Sequence, residues 1–296
     1  MKILVTGSNG QLGRTIMDSC YDADHEFVFT AHSLRPGNDR RVRHLDITDR
    51  EAVAQIIKDE NIEIIINCAG YTDVLKAETE SLEAFSVNAA AVSYLAEAAR
   101  ANDALLIHVS TDYVFDGESS RPYKEDDPAY PVSEYGRSKL AGEEAVMASG
   151  CRYLIFRTAW LFSPYGRNFV RTILAKSEQQ PVLKVVCDQV GTPTYARDLV
   201  DAMFDVIGDG TVGKEGIYNY TNEGVCSWYD FAKEICDLSG TVCTVLPCST
   251  GEYPSNVRRP AYSVLDKTKF KSTFGKEICH WKDSLSFCIS EIEKFG

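Results

Sequence analysis

Through the first half of the chain, short runs of β-branched and other apolar residues alternate with stretches whose apolar positions recur at helical spacing. The runs Lys2–Thr6, Glu26–Ala31, Val42–Leu45, Ile62–Cys68, Leu105–Ser110 and Tyr153–Arg157 read as strands. Most are nearly continuous in apolar character, as strands buried on both faces are. The pattern therefore predicts βαβ units and a parallel sheet covered by helices on each side. Between the runs, Thr48-Asp-Arg-Glu51 has the form of a capping box opening a helix over Asp49–Glu60, and the Ala-rich stretch Glu83–Asn102 predicts one long helix.

After Trp160 this alternation gives way to mixed short elements, joined by connections such as Thr192-Pro-Thr, Gly208–Gly216 and Tyr253-Pro-Ser. Ser227 is placed to cap a helix that ends at Gly240, and Trp281–Lys294 has the period of an amphipathic helix. No repeat, low-complexity tract or flexible linker separates this half from the first. The expected fold is therefore α/β: a Rossmann-type doubly wound parallel sheet with a smaller, interleaved C-terminal substrate lobe. Residues 1–160 and about 187–220 are assigned to the nucleotide-binding part, and about 161–186 and 221–296 to the lobe.

A chain of 296 residues is long enough to bury such a core with a lobe attached. Its net charge of −12 argues against a nucleic-acid partner, because a polyanion binder needs a basic face to release counterions. Any anionic ligand must then be gripped by local donors. There is no run of roughly 18 apolar residues and no signal-type segment before the first strand, so no membrane partner is expected and the cytoplasm is the expected location. The ten cysteines are scattered from Cys20 to Cys288, with no CxxC pair and no zinc-spaced Cys/His cluster. Reduced, mostly buried thiols and no metal are expected.

Gly7-Ser-Asn-Gly10-Gln-Leu-Gly13 follows the first strand and opens the first helix, the setting in which spaced glycines signal nucleotide binding and not merely a tight turn. Gly7 permits the turn, Gly10 lets the backbone approach a pyrophosphate, and Gly13 lets helix and strand pack closely. The helix N-terminus, at Gln11 and Leu12, offers free N–H donors to phosphates. An acid at the end of the second strand ordinarily bonds the ribose 2′-hydroxyl of NADH and repels the 2′-phosphate of NADPH. Thr30-Ala-His-Ser-Leu-Arg35 has no acid and ends on Arg35, which favours NADPH while leaving NADH possible. Arg35 could equally be a solvated loop charge, and Arg40 or Arg41 could serve in its place. The GxxGxxG spacing resembles the short-chain dehydrogenase/reductase superfamily. That resemblance implies adenine and ribose contacts at Asp46 and Ile47 after the third strand, and at Ala69-Gly70-Tyr71 after the fourth.

Tyr135-Gly-Arg-Ser-Lys139 puts a phenol and an ammonium four residues apart on one helix face. The ammonium is expected to lower the phenol's pKa from its usual value of about 10 toward neutrality. Such a Tyr can give a proton to a carbonyl oxygen while hydride arrives from nicotinamide. The spacing alone is common in helices; its weight comes from Ser110-Thr-Asp-Tyr-Val-Phe115, which follows the fifth strand where the C-terminal sheet edge faces a ligand. Thr111 can bond a substrate carbonyl there and aim it at Tyr135. Alternatively, Thr111 can cap a turn and Asp112 can bond backbone.

The segments Ile66–Thr72, Val109–Phe115, Tyr135–Glu143, Phe156–Trp160, Asp188–Thr194 and Arg258-Arg-Pro260 together resemble the dTDP-4-dehydrorhamnose reductase family, in order along nearly the whole chain. The resemblance implies NADPH-dependent reduction of the 4-keto group of dTDP-4-dehydro-L-rhamnose, or a close nucleotide-deoxysugar, to dTDP-L-rhamnose. It further implies Tyr135 as proton donor, Lys139 binding nicotinamide ribose and tuning Tyr135, and Thr111 with Asp112 meeting the sugar. Trp160 would pack on the sugar, although a core Trp explains it nearly as well on chemistry alone. Arg258 and Arg259 would suit the diphosphate.

The chain departs from the family in one respect. Some members dimerise through magnesium held by glutamates, and the matching positions here are Thr15 and Arg197, so a monomer or a homodimer without bridging metal is expected. Two other classes compete with the reductase reading. A nucleotide-sugar 4,6-dehydratase or epimerase shares the Tyr/Lys pair, but Thr111-Asp-Tyr113 lacks the Glu that dehydratases carry after the Asp. A regulatory subunit like the methionine adenosyltransferase β subunit shares the fold without catalysis.

Overall fold

The computed structural model describes residues 1–19, 25–34, 39–211, 213–253 and 257–295. Cys20, Arg35 and the Pro254-Ser255 part of the third connection lie outside the described residues. Strand β1 (Lys2–Thr6) buries Ile3, Leu4 and Val5 completely, as a central strand must when helices cover both faces of its sheet. It leads into α1 (Gln11–Met17), β2 (Glu26–Ala31), β3 (Val42–His44), α2 (Arg50–Asp59) and β4 (Ile64–Asn67). Next come α3 (Val74–Ala77), α4 (Ser81–Phe85), α5 (Ala91–Ala101), β5 (Leu105–Thr111), α6 (Glu134–Ser149) and β6 (Arg152–Thr158). The C-terminal half begins with β7 (Leu161–Phe162), α7 (Phe169–Gln179), β8 (Val182–Val186), β9 (Val190–Gly191), β10 (Thr194–Tyr195) and α8 (Ala196–Gly208). It ends with β11 (Gly216–Asn219), β12 (Cys226–Ser227), α9 (Trp228–Leu238), β13 (Thr244–Cys248), α10 (Thr268–Phe274) and α11 (Trp281–Phe295).

Seven strands form one sheet in the order β11-β6-β5-β4-β1-β2-β3, with every pairing parallel. The chain winds outward from β1 on one side and from β4 on the other, so the switch point lies between these two strands. Leu12, Ile16, Leu199, Met203 and Phe270, from α1, α8 and α10, pack one face. Val53, Ile57, Val92, Leu95 and Val146, from α2, α5 and α6, pack the other. A separate core gathers Phe162, Ile173, Leu183, Phe231 and Leu285 from the C-terminal half.

Three departures from the sequence expectation have local causes. Strand β11 is a seventh member of the sheet, only four residues long and starting on Gly216 at φ 144°; it takes its register from β6 and directly follows the Gly-containing connection. The cap of α2 is Asp49, whose side chain accepts from the amides of Glu51 and Ala52. Thr48 is unavailable for a capping box, because its amide and hydroxyl bind Asp46 Oδ1 at 2.9 and 2.7 Å. The helix expected over Glu83–Asn102 starts at Ser81 and contains a π-turn at Ser86–Ala90. There Asn88 is buried, its Oδ1 accepting from Tyr71 N (2.8 Å) and its Nδ2 donating to Tyr71 O and to Ser138 Oγ (3.0 Å each). Helix α6 approaches this turn so closely that a Cβ on Gly142 would lie 2.1 Å from the Asn88 carbonyl oxygen.

Helix α6 is fastened to the sheet by a buried ion pair. Arg157 on β6 reaches Glu143 on α6 with 2.6 Å between NH2 and Oε2 and 3.0 Å between Nε and Oε1. The Ser110 hydroxyl donates to Glu143 Oε1, and Arg157 NH1 donates to the Glu125 carbonyl at 3.1 Å. Removing one member strands the other charge without water. Arg157→Met should therefore cost about 3–5 kcal/mol of stability, and the paired replacement Glu143→Leu with Arg157→Met should cost clearly less. Urea unfolding measures both, and a single variant as stable as the parent would contradict the assignment.

Candidate active site

The glycine motif sits at the switch point. Gly7 adopts φ 66°, and a Cβ there would lie 2.6 Å from Ala69 N, so the loop after β1 and the end of β4 touch backbone to backbone. A Cβ on Gly13 would lie 2.6 Å from Gly7 O, which accounts for the close packing of α1. Gly10 precedes α1 in an extended conformation, with no side chain capping the helix. Gln11 Oε1 accepts from Ser163 Oγ (3.1 Å) and Asn168 Nδ2 (2.9 Å), which turns its side chain toward the segment between β7 and α7. Leu12 belongs to the core, so its amide is the part of it available to a ligand.

Farther along the edge, Asp46 is held below the usual carboxylate range, chiefly by the Thr48 hydroxyl, and its Oδ2 stands 3.6 Å from His32 Nε2. Ile47 is a core residue. Ala69 N donates to Thr6 Oγ1 at 3.3 Å, and a Cβ on Gly70 would meet Asn88 Oδ1 at 3.2 Å. The Tyr71 phenol donates to Glu80, and that hydrogen bond first, then burial, push it up to about 12. Arg35 lies outside the described residues. Arg41 is engaged by Asp39 at 2.9 Å and donates to Met17 O, whereas Arg40 is exposed.

Thr111, Asp112 and Tyr135 come together where β5 ends and α6 begins. Ser133 caps α6 by accepting from Gly136 N at 3.1 Å, which fixes Tyr135 in the first turn. Thr111 donates to Asp112 Oδ1 at 2.9 Å and accepts from Tyr113 N at 3.3 Å. It therefore caps the short turn Asp112–Val114. Tyr113 meets the Tyr135 ring edge to face at 5.5 Å. Burial raises Asp112 to about 6 against the opposing hydroxyls of Thr111 and Ser263, and its Oδ2 is buried without a well-formed hydrogen bond.

The expected lowering of the Tyr135 phenol by Lys139 is not found. Burial first, and then the charge of Asp112, push Tyr135 up to about 12, with Thr111 opposing. Lys139 Nζ is turned to the β5 backbone, donating to Val109 O at 2.6 Å, and burial lowers it to about 8 while Glu143 opposes. A phenol so placed is fully protonated at neutral pH and therefore carries the proton a general acid must give. Beneath it, Thr6, Asn67 and His108 form a row across β1, β4 and β5. Thr6 Oγ1 donates to Asn67 Oδ1 (2.6 Å), and Asn67 Nδ2 donates to His108 Nδ1 (3.0 Å). Burial, then Lys139, hold His108 well below its usual pKa.

The remaining candidates are spread more widely. Trp160, at φ 50°, stacks on Trp228 with centroids 3.5 Å apart and planes 9° from parallel. Arg258 is exposed and paired with Glu118; Arg259 is also exposed and pulls down the Tyr113 phenol, which burial pushes up. Sequence reading passed over Asn88, Ser263, His108 and the Glu143–Arg157 pair. A lone Asn in an Ala-rich helix was a legible signal, while the partners of the others are far away in sequence.

The chain matches the family described as RmlD substrate binding domain over residues 1–294. It is 39% identical over 293 residues to a dTDP-4-dehydrorhamnose reductase of Aggregatibacter actinomycetemcomitans, covering 96% of this chain and 97% of that one. The crystal structure of a dTDP-4-dehydrorhamnose reductase from Clostridium acetobutylicum superposes with a TM-score of 0.91 at 40% identity, covering 99% of this chain and 100% of that one. One from Bacillus anthracis in complex with NADP gives 0.89 at 33% identity, covering 98% and 99%.

Lys139 predicts a pH signature in stability. Its folded pKa, about 8, lies below its usual 10.5, so between those values the unfolded chain holds more protons at this position than the folded one. Raising the pH across that window favours the folded state. The unfolding free energy of the parent, measured against Lys139→Met, should climb from pH about 8 to about 10.5; a constant difference would remove the buried ammonium.

Proposed function

The chain belongs to the RmlD substrate binding domain family, and we propose from that premise that it reduces the 4-keto group of dTDP-4-dehydro-L-rhamnose to dTDP-L-rhamnose with NADPH. The observation that carries this reading is the placement of Tyr135 in the first turn of α6, its ring against Tyr113, beside the end of β5 that carries Thr111 and leads into Asp112 at the sheet's C-terminal edge. The backbone at the switch point fits a dinucleotide: Gly7 and Gly13 admit no Cβ, and the N-terminus of α1 has no side-chain cap. Gly7, Gly10, Gly13 and the amides of Gln11 and Leu12 would hold the pyrophosphate. Asp46, Ile47, Ala69, Gly70 and Tyr71 would line the adenosine half. Lys139 would serve the nicotinamide ribose, and Arg35 the 2′-phosphate.

Bound there, NADPH supplies a hydride to the keto carbon. Thr111 and Tyr135 hydrogen-bond the keto oxygen and orient it, and Tyr135 gives that oxygen its proton. Asp112 and Trp160 face the sugar, and Arg258 and Arg259 take the diphosphate, for which Arg258 exchanges its partner Glu118. In the same reading, residues 1–160 and about 187–220 serve the nucleotide and about 161–186 and 221–296 the sugar. The separate core around Phe231 and the return of β11 to the sheet support that division. The nine cysteines among the described residues are free thiols, which suits the cytoplasm, and none of the described helices is long and apolar enough to cross a membrane.

NADPH oxidation followed across several 4-keto nucleotide sugars tests the reading, with kcat/KM expected to favour NADPH over NADH. Tyr135→Phe should retain NADPH binding and lose roughly 10²–10⁴-fold in turnover. Turnover within a few-fold of the parent would dismiss Tyr135 as the donor.

The reading also excludes magnesium between subunits. Thr15 spends its hydroxyl on Gln11 O at 2.9 Å, Arg197 brings a fixed positive charge, and Glu291 accepts from the Tyr195 phenol. Light scattering and activity should be the same in EDTA and in excess magnesium. A mass that follows the metal would be the contrary result.

A further inference from the structure

We infer that Trp228 is a positioning residue for the sugar: stacked on Trp160, it holds that indole where the substrate meets it, a role that rests on the reductase reading. Topology puts Trp160 at the site. Thr158, two residues before it, is the register partner of Thr111 across β5 and β6, so the chain leaves the sheet beside Thr111. At Trp160 the backbone adopts φ 50°, a conformation that a bulky residue keeps only where its surroundings impose it. Two neighbours hold the ring there. Trp228 covers it with centroids 3.5 Å apart and planes 9° from parallel, and a Cβ on Gly191 would lie 2.7 Å from Trp160 Cε2.

Trp228 and Gly191 are fixed to each other in turn. Strand β12 pairs with β9, which sets Cys226 opposite Gly191 and Ser227 opposite Val190. Ser227 then caps α9 reciprocally, its hydroxyl accepting from Asp230 N at 3.1 Å and its amide donating to Asp230 Oδ2 at 2.9 Å. Trp228 is the first residue of that helix, and Phe169 at the start of α7 meets its ring at 4.5 Å. Elements of the C-terminal half therefore set the tilt of an indole whose backbone continues from the sheet. Both tryptophans border the core around Phe231 and stay only half-buried, so part of the stacked pair is open to a ligand. A flat aromatic surface held in one orientation suits the C–H groups of a deoxysugar and is worth about tenfold in binding. The nucleotide makes no demand on it.

The test uses the full chain, which has three tryptophans; the third, Trp281, is 3% exposed. Stacked indoles give an exciton-coupled band in far-ultraviolet circular dichroism, and Trp160→Phe and Trp228→Leu should each abolish it. Trp228→Leu should raise KM for dTDP-4-dehydro-L-rhamnose about tenfold and leave kcat within a few-fold of the parent. In calorimetric titration it should weaken dTDP-L-rhamnose by the same factor while dTDP and NADPH bind as to the parent. Trp228→Phe keeps a flat ring and should recover most of the affinity. Gly191→Ala drives a methyl against Trp160 and should reproduce the loss. A Trp228→Leu protein that binds dTDP-L-rhamnose as the parent does overturns the positioning role and leaves the reductase reading standing. Equal weakening of dTDP and dTDP-L-rhamnose overturns it too, because the loss is then not the sugar's. Should Trp228→Leu not fold, Gly191→Ala is judged by the same two results. A parent that oxidises no NADPH with any 4-keto nucleotide sugar overturns the reading itself.

Discussion

The placement of Tyr135 and Lys139 depends on the buried contact between Glu143 and Arg157. Helix α6 carries both residues, and it lies against β5 and β6 because its one fully buried carboxylate has a guanidinium from β6 and a hydroxyl from β5 as partners. An unpartnered carboxylate at that depth would have to be protonated or solvated, and either would shift the helix. The same charge favours the ammonium of Lys139 one turn earlier. Arg157 also holds the Glu125 carbonyl and stands 5.1 Å over the Phe115 ring, so the loop between β5 and α6 is ordered by the contact that orders the helix.

Around that anchor, the site is built from groups deprived of water. Lys139 is lowered, Tyr135 and Asp112 are raised, and His108 is kept neutral, in each case with burial as the largest cause. Each shift disfavours a charged form: for Lys139 and Asp112 it moves the titration toward neutrality, and for Tyr135 and His108 it holds the uncharged form there. Stability is spent here on reactivity. The row Thr6-Asn67-His108 illustrates the cost: the threonine fixes the amide, the amide fixes the imidazole tautomer, and His108 Nε2 stays buried without a hydrogen-bond partner.

Beside β11, α8 and α10, which pack into the sheet, the C-terminal half makes directional contacts with the glycine loop. Gln11 ties the glycine loop to Ser163 and Asn168, and Asn168 in turn caps α7 by accepting from Arg171 N. Trp160 is held in the left-handed region with Thr194 N donating to its carbonyl at 3.2 Å, and the chain turns there toward Trp228.

The sequence alone determined the alternation of elements and the glycine turn, and it singled out Tyr135, Lys139 and Thr111 as candidates, because these are matters of local periodicity and short spacing. All six expected strands are present, with ends displaced by no more than two residues. The boundary of α2 shifted because Asp46 claimed Thr48, a contest between neighbours that pattern does not weigh. Only tertiary structure decided the rest. Strand β11 exists because β6 offers it a ladder, and the π-turn exists because Asn88 has Tyr71 and Ser138 to bond. The direction of each pKa shift likewise depends on burial and on partners brought together by folding. A tyrosine four residues before a lysine reads as a phenol made acidic by its neighbour; in the folded chain the lysine faces a carbonyl, and loss of water raises the phenol.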